Sequence, residues 1–428
     1  MGPSEKIEKT LKFFRSLIPR RLFAALQPHY HLVLAYLGAF FYQSPSKKIF
    51  VVGVTGTKGK TSTAELVNAI LEKEGLRTAL ASTVRFKIGE RSFDNKFKMT
   101  TIGRFFTQKL MRRAARDGCS HVVLEISSEA AKQYRHLFLN LDALIFTNLA
   151  PEHIESHGSY EKYVAAKLSI AKELEASDKK EKILVVNADD PESEKFLKIK
   201  GVKKLKFKIE DAEPFSFPDK GLEMTWNGTK ITSRLSGKFS VYNILAAAAF
   251  AKGIGIGNET IKSAVEEFEG VRGRLERVKA GQPFPVIVDY AHTPESLEQV
   301  YQAFPHKDKI CVLGNTGGGR DKWKRPAMGA IASHYCSKVI LTNEDPYDED
   351  PMEIIKEMAE AVDKEKLEIE TDRRTAMRKA FKSAKKHSLV IITGKGADPY
   401  IMGPNGKKEP WSDAEVAREV LMKLRSEK

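Results

Sequence analysis

Short apolar runs rich in β-branched residues alternate with helical patterns from about residue 49 onward. In the first half of the chain the predicted strands are 49–54, 78–82, 121–126, 143–147 and 182–187. The predicted helices are at about 60–74, 102–117, 159–175 and 190–198. Strands and helices that alternate in this way form a parallel sheet covered by helices, which binds its ligands at the carboxyl ends of the strands.

The second half of the chain repeats this alternation after a different kind of segment. Residues 222–235 alternate around Asn227-Gly228, which predicts a β-hairpin, and helices are expected at 241–252 and 258–268. A hinge rich in glycine and arginine, 270–278, leads into the second series. Its predicted strands are 285–289, 310–314, 338–342 and 389–393, and its predicted helices lie near 294–303, 323–335, 351–361, 373–386 and 412–425. We therefore predict a domain boundary near residue 280.

The segment before the first strand has a pattern of its own. Its first part is basic and could form an amphipathic helix broken at Pro19. Residues 32–42 are an apolar run of 11 residues, which is too short to span a bilayer, and no cleavage site of a signal peptide follows it. A helix on an anionic membrane surface and a helix packed on its own domain both fit this pattern.

Composition is that of an ordinary globular protein with anionic partners. The 428 residues are 42% hydrophobic and 30% charged, with a formal net charge of +15. The charge fits nucleotides, phosphorylated substrates or acidic lipid as partners. Because the positive surplus is spread along the chain, we expect no nucleic acid. Three widely spaced cysteines without metal-type spacing predict a reducing, cytoplasmic location and no disulfide framework.

The stretch 51–63 reads VVGVTGTKGKTST and is a candidate phosphate-binding loop. Gly56 and Gly59 allow a tight turn whose N–H groups face a phosphate, and the following helix adds the positive end of its dipole. Lys60 would reach the terminal phosphates and Thr61 would hold Mg²⁺. Val54 stands where the strict Walker spacing has glycine, so this is a variant loop. The expected nucleotide contacts are Thr55, Gly56, Thr57, Lys58, Gly59, Lys60, Thr61 and Ser62.

The fold class that follows is α/β, with a central P-loop parallel-sheet ATPase domain and a C-terminal Rossmann-like α/β domain. The predicted domains are 1–47, a short basic and apolar segment expected to be helical, 48–279, the ATP-binding domain, and 280–428, the C-terminal domain.

Polar residues follow the next strands at the edge where the loop would lie. Glu125 ends a buried strand, where an unpaired carboxylate is costly, so a metal or another cation is expected beside it. His153 and His157 lie in the loop after the next strand, and Lys167 lies on the following helix. Two histidines four residues apart also fit a solvated loop, but beside a phosphate loop they are candidates for Mg²⁺ and substrate contacts.

Seven segments in a fixed order resemble the Mur ligases, most of all the MurE type, the UDP-N-acetylmuramoyl-tripeptide synthetases. They are TGTKGKTS (55–62), LEISSE (124–129), FTNLAPEHIESHGSYEKYVAAK (146–167), GRLERV (273–278), VDYAHTPESLE (288–298), GGGRDKWKRPAMG (317–329) and ITGKGAD (392–398). The resemblance runs from about Lys48 to the C-terminus.

The resemblance implies a role for each segment. Glu125 and His153 would bind a second Mg²⁺, and Lys167 matches the lysine that this family carbamylates to form a bridge to the metal. The implied catalytic residues are Lys60, Lys167, Glu125 and His153, and the implied metal-binding residues are Thr61, Glu125, His153 and Lys167.

The same resemblance implies the binding residues. Those near ATP are Asn243, Arg274, Asp289 and His292. Those near the nucleotide-sugar peptide and the incoming amino acid are Thr100, Thr101, Ser127, Gln133, Arg135, Arg320, Asp345, Tyr347, Gly394 and Asp398. A solvated turn is the alternative interpretation of the charged cluster around Arg320.

Departures from the family pattern concern both ends of the substrate. The family's separate N-terminal uridine-binding domain is missing or replaced in this sequence. The family motif that recognises diaminopimelate ends in arginine, whereas this chain has Tyr347 at that position. Without the guanidinium group, a second carboxylate of the amino acid lacks a bidentate partner. The segment Gly396-Ala397-Asp398 is closer to enzymes that add lysine. Glu129, Glu152 and Ser240 also stand where the family has other residues.

The expected function is therefore an ATP- and Mg²⁺-dependent ligase of peptidoglycan synthesis. It would add L-lysine or another diamino acid to a UDP-N-acetylmuramoyl-L-alanyl-D-glutamate-type precursor, acting as a monomer, with membrane contact through the N-terminal segment as one option. Two alternatives stay open. One is another ligase of this superfamily, folylpolyglutamate-like or acting on a lipid-linked precursor, and the other is a non-catalytic nucleotide-dependent binding subunit.

Overall fold

The computed structural model describes residues 20–152, 154–218, 221–305, 308–319 and 322–427, with side chains from residue 26 onward. The helices in these ranges are α1 (Arg20–Phe41), α2 (Lys60–Lys73), α3 (Arg104–Arg116), α4 (Ser128–Lys132), α5 (Ile154–His157), α6 (Tyr160–Ala176), α7 (Ser193–Leu197), α8 (Lys238–Gly253), α9 (Asn258–Glu267), α10 (Pro294–Gln302), α11 (Lys324–Tyr335), α12 (Pro351–Ala359), α13 (Arg373–Ser383) and α14 (Asp413–Ser426).

The strands in the same ranges form two large sheets and two small ones. They are β1 (Phe50–Thr55), β2 (Thr78–Ala81), β3 (Arg85–Ile88), β4 (Arg91–Asp94), β5 (His121–Glu125), β6 (Ala143–Phe146), β7 (Ile183–Asn187), β8 (Lys203–Phe207), β9 (Phe215–Ser216), β10 (Leu222–Trp226), β11 (Thr229–Ser233), β12 (Glu276–Val278), β13 (Val286–Asp289), β14 (Asp308–Leu313), β15 (Lys338–Leu341), β16 (Leu367–Ile369), β17 (Ser388–Thr393), β18 (Tyr400–Met402) and β19 (Lys408–Pro410).

The first large sheet has the order β4-β3-β2-β5-β1-β6-β7-β8 in the described chain. Its strands are parallel except for β3 and β4, which form an antiparallel hairpin at one edge. One face packs against α2 and α8, and the other packs against α3 and α6. Strand β1 lies between β5 and β6, so the loop that follows it opens at the carboxyl edge beside the ends of both neighbours.

The second large sheet has the order β12-β13-β17-β14-β15-β16 in the described chain. All its pairings are parallel except that of the edge strand β12 with β13. Strand β12 precedes residue 280, near which we predicted a boundary, and it belongs to this second sheet. The boundary itself stays a prediction.

The α/β class is confirmed, and every strand and helix predicted from residue 49 onward has an observed counterpart at nearly the same position. The hairpin around Asn227-Gly228 is formed by β10 and β11. The sequence did not predict β3, β4 and β8 of the first sheet, β12 and β16 of the second, or the short strands β9, β18 and β19. Strand β4 is exposed along its whole length and β8 is rich in lysine, so neither has the apolar run that identifies a buried strand.

Two expectations about other features need comment. The prediction of no disulfide was wrong, because Cys311 on β14 and Cys336 after α11 are bonded to each other in the structure. Strand β14 and the end of α11 are 25 residues apart in sequence, and spacing alone did not indicate that they meet. The predicted basic helix before Pro19 lies outside the described residues, and the described part of the N-terminal segment is helical from Arg20 to Phe41. Within the described residues, no helix has the length and apolarity needed to cross a membrane.

Candidate active site at the phosphate loop

The loop between β1 and α2 has two glycines whose positions exclude a side chain. Gly56 has a φ of 150° and Gly59 has a φ of 80°. A Cβ atom on Gly56 would come closer than 3.0 Å to the Thr147 hydroxyl, and one on Gly59 would approach the Asn243 amide oxygen as closely. Because only glycine tolerates both the backbone conformation and these approaches, the glycine spacing determines the shape of the loop.

The two lysines of the loop have different partners. Lys60 Nζ donates to two carbonyl oxygens of the loop at 3.0 and 3.1 Å, so its side chain folds over the turn. Lys58 Nζ donates to Glu152 Oε1 at 2.8 Å and to Thr293 Oγ1 at 3.2 Å. Burial lowers the pKa of Lys60, while the charge of Glu125 acts in the opposite direction. The loop thus presents one ammonium group at its centre and is tied by the other to α10.

Glu125 ends β5 beside the loop and is almost completely buried. Its carboxylate accepts hydrogen bonds from Thr83 N at 2.8 Å, from Thr83 Oγ1 at 2.9 Å and from Thr61 Oγ1 at 3.2 Å. Burial raises its pKa, and the Thr83 hydrogen bonds and the Lys60 charge offset part of that effect. A buried carboxylate in contact with the loop threonine is suited to hold a divalent cation.

Lys167 lies on α6 with its side chain buried against the loop. Its Nζ donates to the carbonyl oxygen of Gly56 at 2.6 Å and lies 5.1 Å from the centre of the Tyr163 ring. Burial lowers the pKa of Lys167 well below its usual value, and the charge of Lys60 adds to that effect. Burial therefore shifts the balance of Lys167 toward the neutral, nucleophilic amine.

A cavity of about 460 Å³ lies over the loop and is lined from both halves of the chain. The predicted residues that line it are Thr57, Lys58, Gly59, Lys60, Thr61, Ser62, Thr100, Asn243, Arg274, Asp289 and His292. Thr55 lies behind the loop, where its hydroxyl donates to the carbonyl oxygen of Ile126 at 2.9 Å. The tertiary fold thus brings residues from 57 to 292 to one cavity.

The wall opposite the loop is formed by residues around β13. Asp289 accepts hydrogen bonds from two backbone N–H groups at 2.7 Å, and burial raises its pKa. His292 Nδ1 lies 2.8 Å from the Tyr290 carbonyl oxygen, and burial lowers the pKa of His292 to about 3. The guanidinium of Arg274 lies over the Tyr290 ring, 4.5 Å from its centre. His292 is therefore neutral, and Arg274 is a cation of this wall.

Four of the residues predicted to bind the nucleotide-sugar peptide form one hydrogen-bonded group beside Glu125, which we call the acceptor group. Thr101 Oγ1 accepts from Ser127 N at 2.9 Å. Arg135 donates to the carbonyl oxygen of Thr101 and to Gln133 Oε1, both at 2.6 Å. Thr101 Oγ1 in turn donates to the backbone carbonyl of Glu125 at 2.9 Å, which fixes the group to the end of β5.

A second polar cluster contains two carboxylates and two ammonium groups. Lys98 Nζ lies 3.0 Å from Asp345 and 2.8 Å from Asp398, and Lys395 Nζ lies 2.8 and 3.0 Å from the same two residues. Although burial opposes it, the ammonium groups of Lys395 and Lys98 hold the pKa of Asp345 below its usual value. Because Lys98 comes from the first half of the chain, the cluster joins the two halves.

Glu344, Tyr347 and Gly394 surround this cluster. Burial raises the pKa of Glu344 to about 7, and the charge of Asp345 adds to the rise. Gly394 has a φ of 109°, and a Cβ atom there would come closer than 3.0 Å to the Glu344 carboxylate. Tyr347 has a φ of 52° and donates its N–H to the carbonyl oxygen of Met402 at 3.0 Å. The backbone is thus tightly packed around the two carboxylates.

A smaller cavity of about 80 Å³ connects this cluster with the nucleotide side. Thr83, Thr100 and Arg274 line both this cavity and the large one, and Lys98 and Asp398 line the small one. A group bound at Asp398 would therefore lie close to a phosphate bound at the loop.

Some predicted residues cannot be placed or lie elsewhere. His153, Arg320 and its neighbour Asp321 lie outside the described residues. His157 does not line the nucleotide cavity, because its Nε2 is 3.2 Å from Ser128 Oγ. In the described part of the chain no group of three or more His, Cys, Asp and Glu side chains forms a metal site. Of the predicted metal-binding set, Thr61 and Glu125 are in contact, and Lys167 contacts the loop at Gly56.

The sequence prediction missed Thr83 and Lys98. Thr83 directly follows a predicted strand, so its position at the carboxyl edge of the sheet was a usable signal. Lys98 lies in an irregular segment between β4 and α3, and only the tertiary structure shows that it meets Asp345 and Asp398.

Two family models match most of the chain. The Mur ligase middle domain matches residues 54–251, and the Mur ligase glutamate ligase domain matches residues 273–396. The chain is 38% identical over 404 residues to the UDP-N-acetylmuramoyl-L-alanyl-D-glutamate–2,6-diaminopimelate ligase of Bacillus velezensis, covering 91% of this chain and 82% of that protein. It is 39% identical over 425 residues to the UDP-N-acetylmuramyl-tripeptide synthetase of Roseiflexus sp., covering 93% and 83%.

Solved structures of related enzymes share the fold of this chain. A structure of a UDP-N-acetylmuramoyl-L-alanyl-D-glutamate–2,6-diaminopimelate ligase matches with a TM-score of 0.64 and 25% identity, over 92% of this chain and 83% of that one. The folylpolyglutamate synthase of Mycobacterium tuberculosis, complexed with ADP, matches with a TM-score of 0.68 and 16% identity, over 85% and 91%. The latter likeness shows a shared fold only.

Proposed function

The chain belongs to the Mur ligase family of ATP-dependent ligases, and we propose that it adds a diamino acid to UDP-N-acetylmuramoyl-L-alanyl-D-glutamate. It is a ligase of peptidoglycan synthesis. The observation that supports the proposed substrates best is the small cavity, which shares Thr83, Thr100 and Arg274 with the nucleotide cavity and is also lined by Asp398. An ammonium group of the incoming molecule could contact Asp398 there in place of Lys98 or Lys395.

The reaction follows from what the loop and its neighbours can stabilise. An oxygen of the acceptor carboxylate attacks the γ-phosphorus of ATP, ADP leaves, and an acyl phosphate remains. The neutral amine of the amino acid then attacks the acyl carbon, the C–O bond to phosphate breaks, and the amine loses its proton. Two anions meet in the first step, so Lys60 at the loop and Arg274 on the facing wall are placed to offset their repulsion.

The residues beside the loop also fit a divalent cation. Thr61 Oγ1 and the buried carboxylate of Glu125 are hard oxygen ligands in direct contact, and these are the ligands that Mg²⁺ prefers. Bound Mg²⁺ would neutralise the negative charge of the phosphate groups during phosphoryl transfer. His153 stays a proposed ligand from the resemblance alone.

Replacing Lys60 by Met, or Glu125 by Gln, should lower kcat by about a hundredfold or more, because the first change removes a cation that offsets the phosphate charge and the second removes an anionic ligand of the proposed Mg²⁺. Amino-acid-dependent phosphate release measures the effect, and thermal melting checks that the fold is kept. Lys73→Met, at the exposed far end of α2, is the matched control and should keep normal turnover. Normal turnover of either site variant would show that the site is wrongly assigned.

We also propose that Lys167 is carbamylated. The amine would attack the carbon of CO₂, form an N–C bond and release one proton, giving an anionic carbamate. Two features support this step: the low pKa of Lys167, which favours the neutral amine, and the lack of solvent around it, which would protect the product from hydrolysis.

The variant Lys167→Ala tests the carbamate. It should reduce activity by about a hundredfold, and short carboxylates such as formate or acetate should restore part of it, because they can supply the missing oxygen atoms. Intact-mass measurement of the unmodified protein in bicarbonate buffer gives an independent reading. Lys167→Ala with full activity would exclude the carbamate.

The amino acid is proposed to be L-lysine or a related diamino acid without a second carboxylate. Tyr347 stands where diaminopimelate enzymes of the family have arginine. Without a guanidinium fork, a second carboxylate of the substrate lacks its usual partner. The relatives named as diaminopimelate ligases make meso-diaminopimelate the necessary comparison.

A screen of purified protein decides this point. Phosphate release and product mass would be measured for L-lysine, L-ornithine and meso-diaminopimelate, with UDP-linked and lipid-linked muramyl dipeptides as acceptors. We expect L-lysine or L-ornithine to give the largest kcat/KM, with the UDP-linked acceptor as substrate. A preference for diaminopimelate would overturn the proposed amino acid and leave the ligase activity standing. ATP binding without amino-acid-dependent release would support a non-catalytic role.

We further propose that the enzyme works in the cytoplasm as a monomer, with the predicted domains 1–47, 48–279 and 280–428 as its units. All catalytic groups proposed above lie in one chain, so the site needs no residue from a second copy. Light scattering of the purified protein measures its mass in solution.

A further inference from the structure

Helix α1 packs on the protein through its small residues. Ala35 and Ala39 are buried, and Gly38 brings the helix against the backbone at Arg104, the first residue of α3. A helix on the surface of a globular protein normally turns its large apolar residues inward. In α1 the small residues face the protein instead.

The large apolar residues of α1 form a continuous stripe on its outside. They follow one another at intervals of four, three, four and three positions, which places them on one face of the helix. Their exposed fractions lie between 43% and 70%, and they are Leu26, Tyr30, Val33, Leu37 and Phe40. We call this surface the apolar face. Proteins that stay monomeric in water rarely expose a contiguous apolar surface of this extent, so the face is suited to contact something.

Neighbouring aromatic rings enlarge the apolar face. Tyr36 stacks on Phe40 with ring centres 6.2 Å apart, and it meets the edge of Phe138 at 5.9 Å. Phe105 on α3 is also exposed. Aromatic residues, and tyrosine in particular, are favoured where water meets lipid headgroups.

The surroundings of the apolar face are positively charged. No aspartate or glutamate occurs in the sequence between residues 9 and 64. On α3, Lys109, Arg112 and Arg116 follow Phe105 at i+4, i+7 and i+11, so they continue the same face of that helix. Lys47 and Lys48, in the turn after α1, are exposed, and that turn packs on α3. Because α1 and the turn after it both pack on α3, we call these five cations the basic rim, which complements an anionic surface.

We propose that the apolar face and its basic rim bind an anionic lipid bilayer, with α1 lying in the plane of the headgroups. An apolar stripe bordered by cations and free of acidic residues is the pattern of helices that lie in the membrane interface. Lipid supplies both required partners at once, acyl chains for the stripe and anionic headgroups for the rim. This proposal does not depend on the ligase reaction.

Such binding would place the acceptor side of the active site near the membrane. His31 on α1 lies beside Arg104 and Arg135. Burial lowers the pKa of His31, and the charges of the two arginines lower it further. Arg135 donates to Thr101 in the acceptor group described above. Helix α1 and the side chains of His31, Arg104 and Arg135 would therefore lie between a bilayer and that group.

Flotation with lipid vesicles tests the proposal. The full-length protein should bind vesicles of phosphatidylcholine with phosphatidylglycerol about tenfold more tightly than vesicles of phosphatidylcholine alone, and added salt should weaken the binding. Phe40→Glu should reduce binding about tenfold or more. Phe217→Glu changes another exposed phenylalanine, outside the apolar face, and should bind like the unchanged protein.

The contribution of the basic rim is measured separately. Lys109→Glu with Arg116→Glu should lower vesicle binding about tenfold or more, whereas Lys385→Glu with Lys386→Glu, an equal charge change on exposed lysines elsewhere, should not. Phosphate release with a soluble acceptor should be normal in Phe40→Glu, so loss of membrane binding and loss of ligase activity can be told apart.

Three results would overturn the lipid proposal. The first is absence of vesicle binding by the unchanged protein. The second is equal binding by Phe40→Glu and Phe217→Glu. The third is a dimer in light scattering that Phe40→Glu dissociates, because the apolar face would then bind a second copy of the chain.

Discussion

Individual side chains of the site show how burial adjusts charge for phosphate chemistry. Glu125 is a carboxylate at the end of a buried strand, and Lys167 is an amine inside the protein, so desolvation shifts the pKa of each toward its neutral form. A cation beside the first and a carbamate on the second would restore the charge. Both groups therefore have a physical reason to acquire the partners that the family resemblance assigns to them.

Glu344 gives a prediction for pH dependence at the residue scale. Its pKa in the folded protein is about 7, above the usual value for glutamate, so the folded state holds the proton more tightly than the unfolded state. The stabilisation is complete below the unfolded pKa and is lost as pH rises through about 7. We therefore expect unfolding free energy to fall between about pH 5 and pH 8, by up to about 3 kcal/mol from this group.

Urea denaturation of Glu344→Gln at several pH values checks this expectation. The variant cannot ionise, so its stability should change less between about pH 5 and pH 8 than that of the unchanged protein. Glu360→Gln, an exposed glutamate on the same half of the chain, is the control and should keep the original slope. Identical slopes for all three proteins would contradict the assignment.

At the scale of elements, the two glycines at the ends of α2 are required for different reasons. Gly59 and Gly75 flank α2 and both have a φ of 80°. A Cβ atom on Gly59 would meet Asn243, whereas nothing lies within 4 Å of one on Gly75. The pair therefore separates backbone strain from a steric clash.

Gly59→Ala should lower ATP affinity by about a hundredfold or more, because the loop must move away from Asn243 to accept the methyl group. Gly75→Ala should cost only about 1–2 kcal/mol of stability and leave ATP affinity nearly unchanged. Isothermal titration with ATP and urea denaturation measure the two effects. Equal losses of ATP affinity in both variants would show that backbone strain, and no clash with Asn243, causes the loss.

The edge of the first sheet illustrates what local pattern misses. The predicted strands of the interior are parallel and apolar, and they occur where expected. Strand β4 is exposed, contains a single apolar residue, Phe93, and is held to β3 by the backbone ladder and one side-chain hydrogen bond, from Arg85 to Ser92. Edge strands with little buried surface carry a weak sequence signal, since the hydrogen bonds of the ladder are the same for any side chain.

At the scale of the whole molecule, Asp94 in β4 and Lys98 after it form ion pairs with residues from 272 onward near the site. Lys98 binds Asp345 and Asp398 in a largely buried position. Arg272 binds Asp94 at 2.5 Å, with both side chains more than half exposed. Exposed pairs contribute little because solvent screens them, so the buried cluster should dominate the contact.

Lys98→Met should weaken the contact between the halves and lower kcat/KM for the amino acid at least fivefold, since closure over the acyl phosphate excludes water. Energy transfer between labels on the two halves should report a longer mean distance. Arg272→Met removes the exposed pair and is the control, with an expected change of less than twofold. Equal effects of the two variants would contradict a special role for the Lys98 cluster.

The sequence by itself determined the class of the protein and the chemistry of its loop. Periodicity located the interior strands and helices, because burial of a sheet between helices requires apolar residues at fixed intervals. The glycine spacing, Lys60 and Thr61 predicted the phosphate loop, because the turn needs glycine, the phosphates need a cation and Mg²⁺ needs a hydroxyl ligand, all within a few residues.

Only the tertiary structure decided which distant residues meet. Lys98 and Asp345 are separated by 247 residues, Thr83 and Glu125 by 42, and no local pattern marks their contacts. Local sequence also gave no sign of the disulfide between Cys311 and Cys336 or of the outward orientation of the apolar residues of α1. Local sequence fixes the conformation of a segment, whereas contacts between segments depend on how their buried faces pack, which is a property of the whole chain.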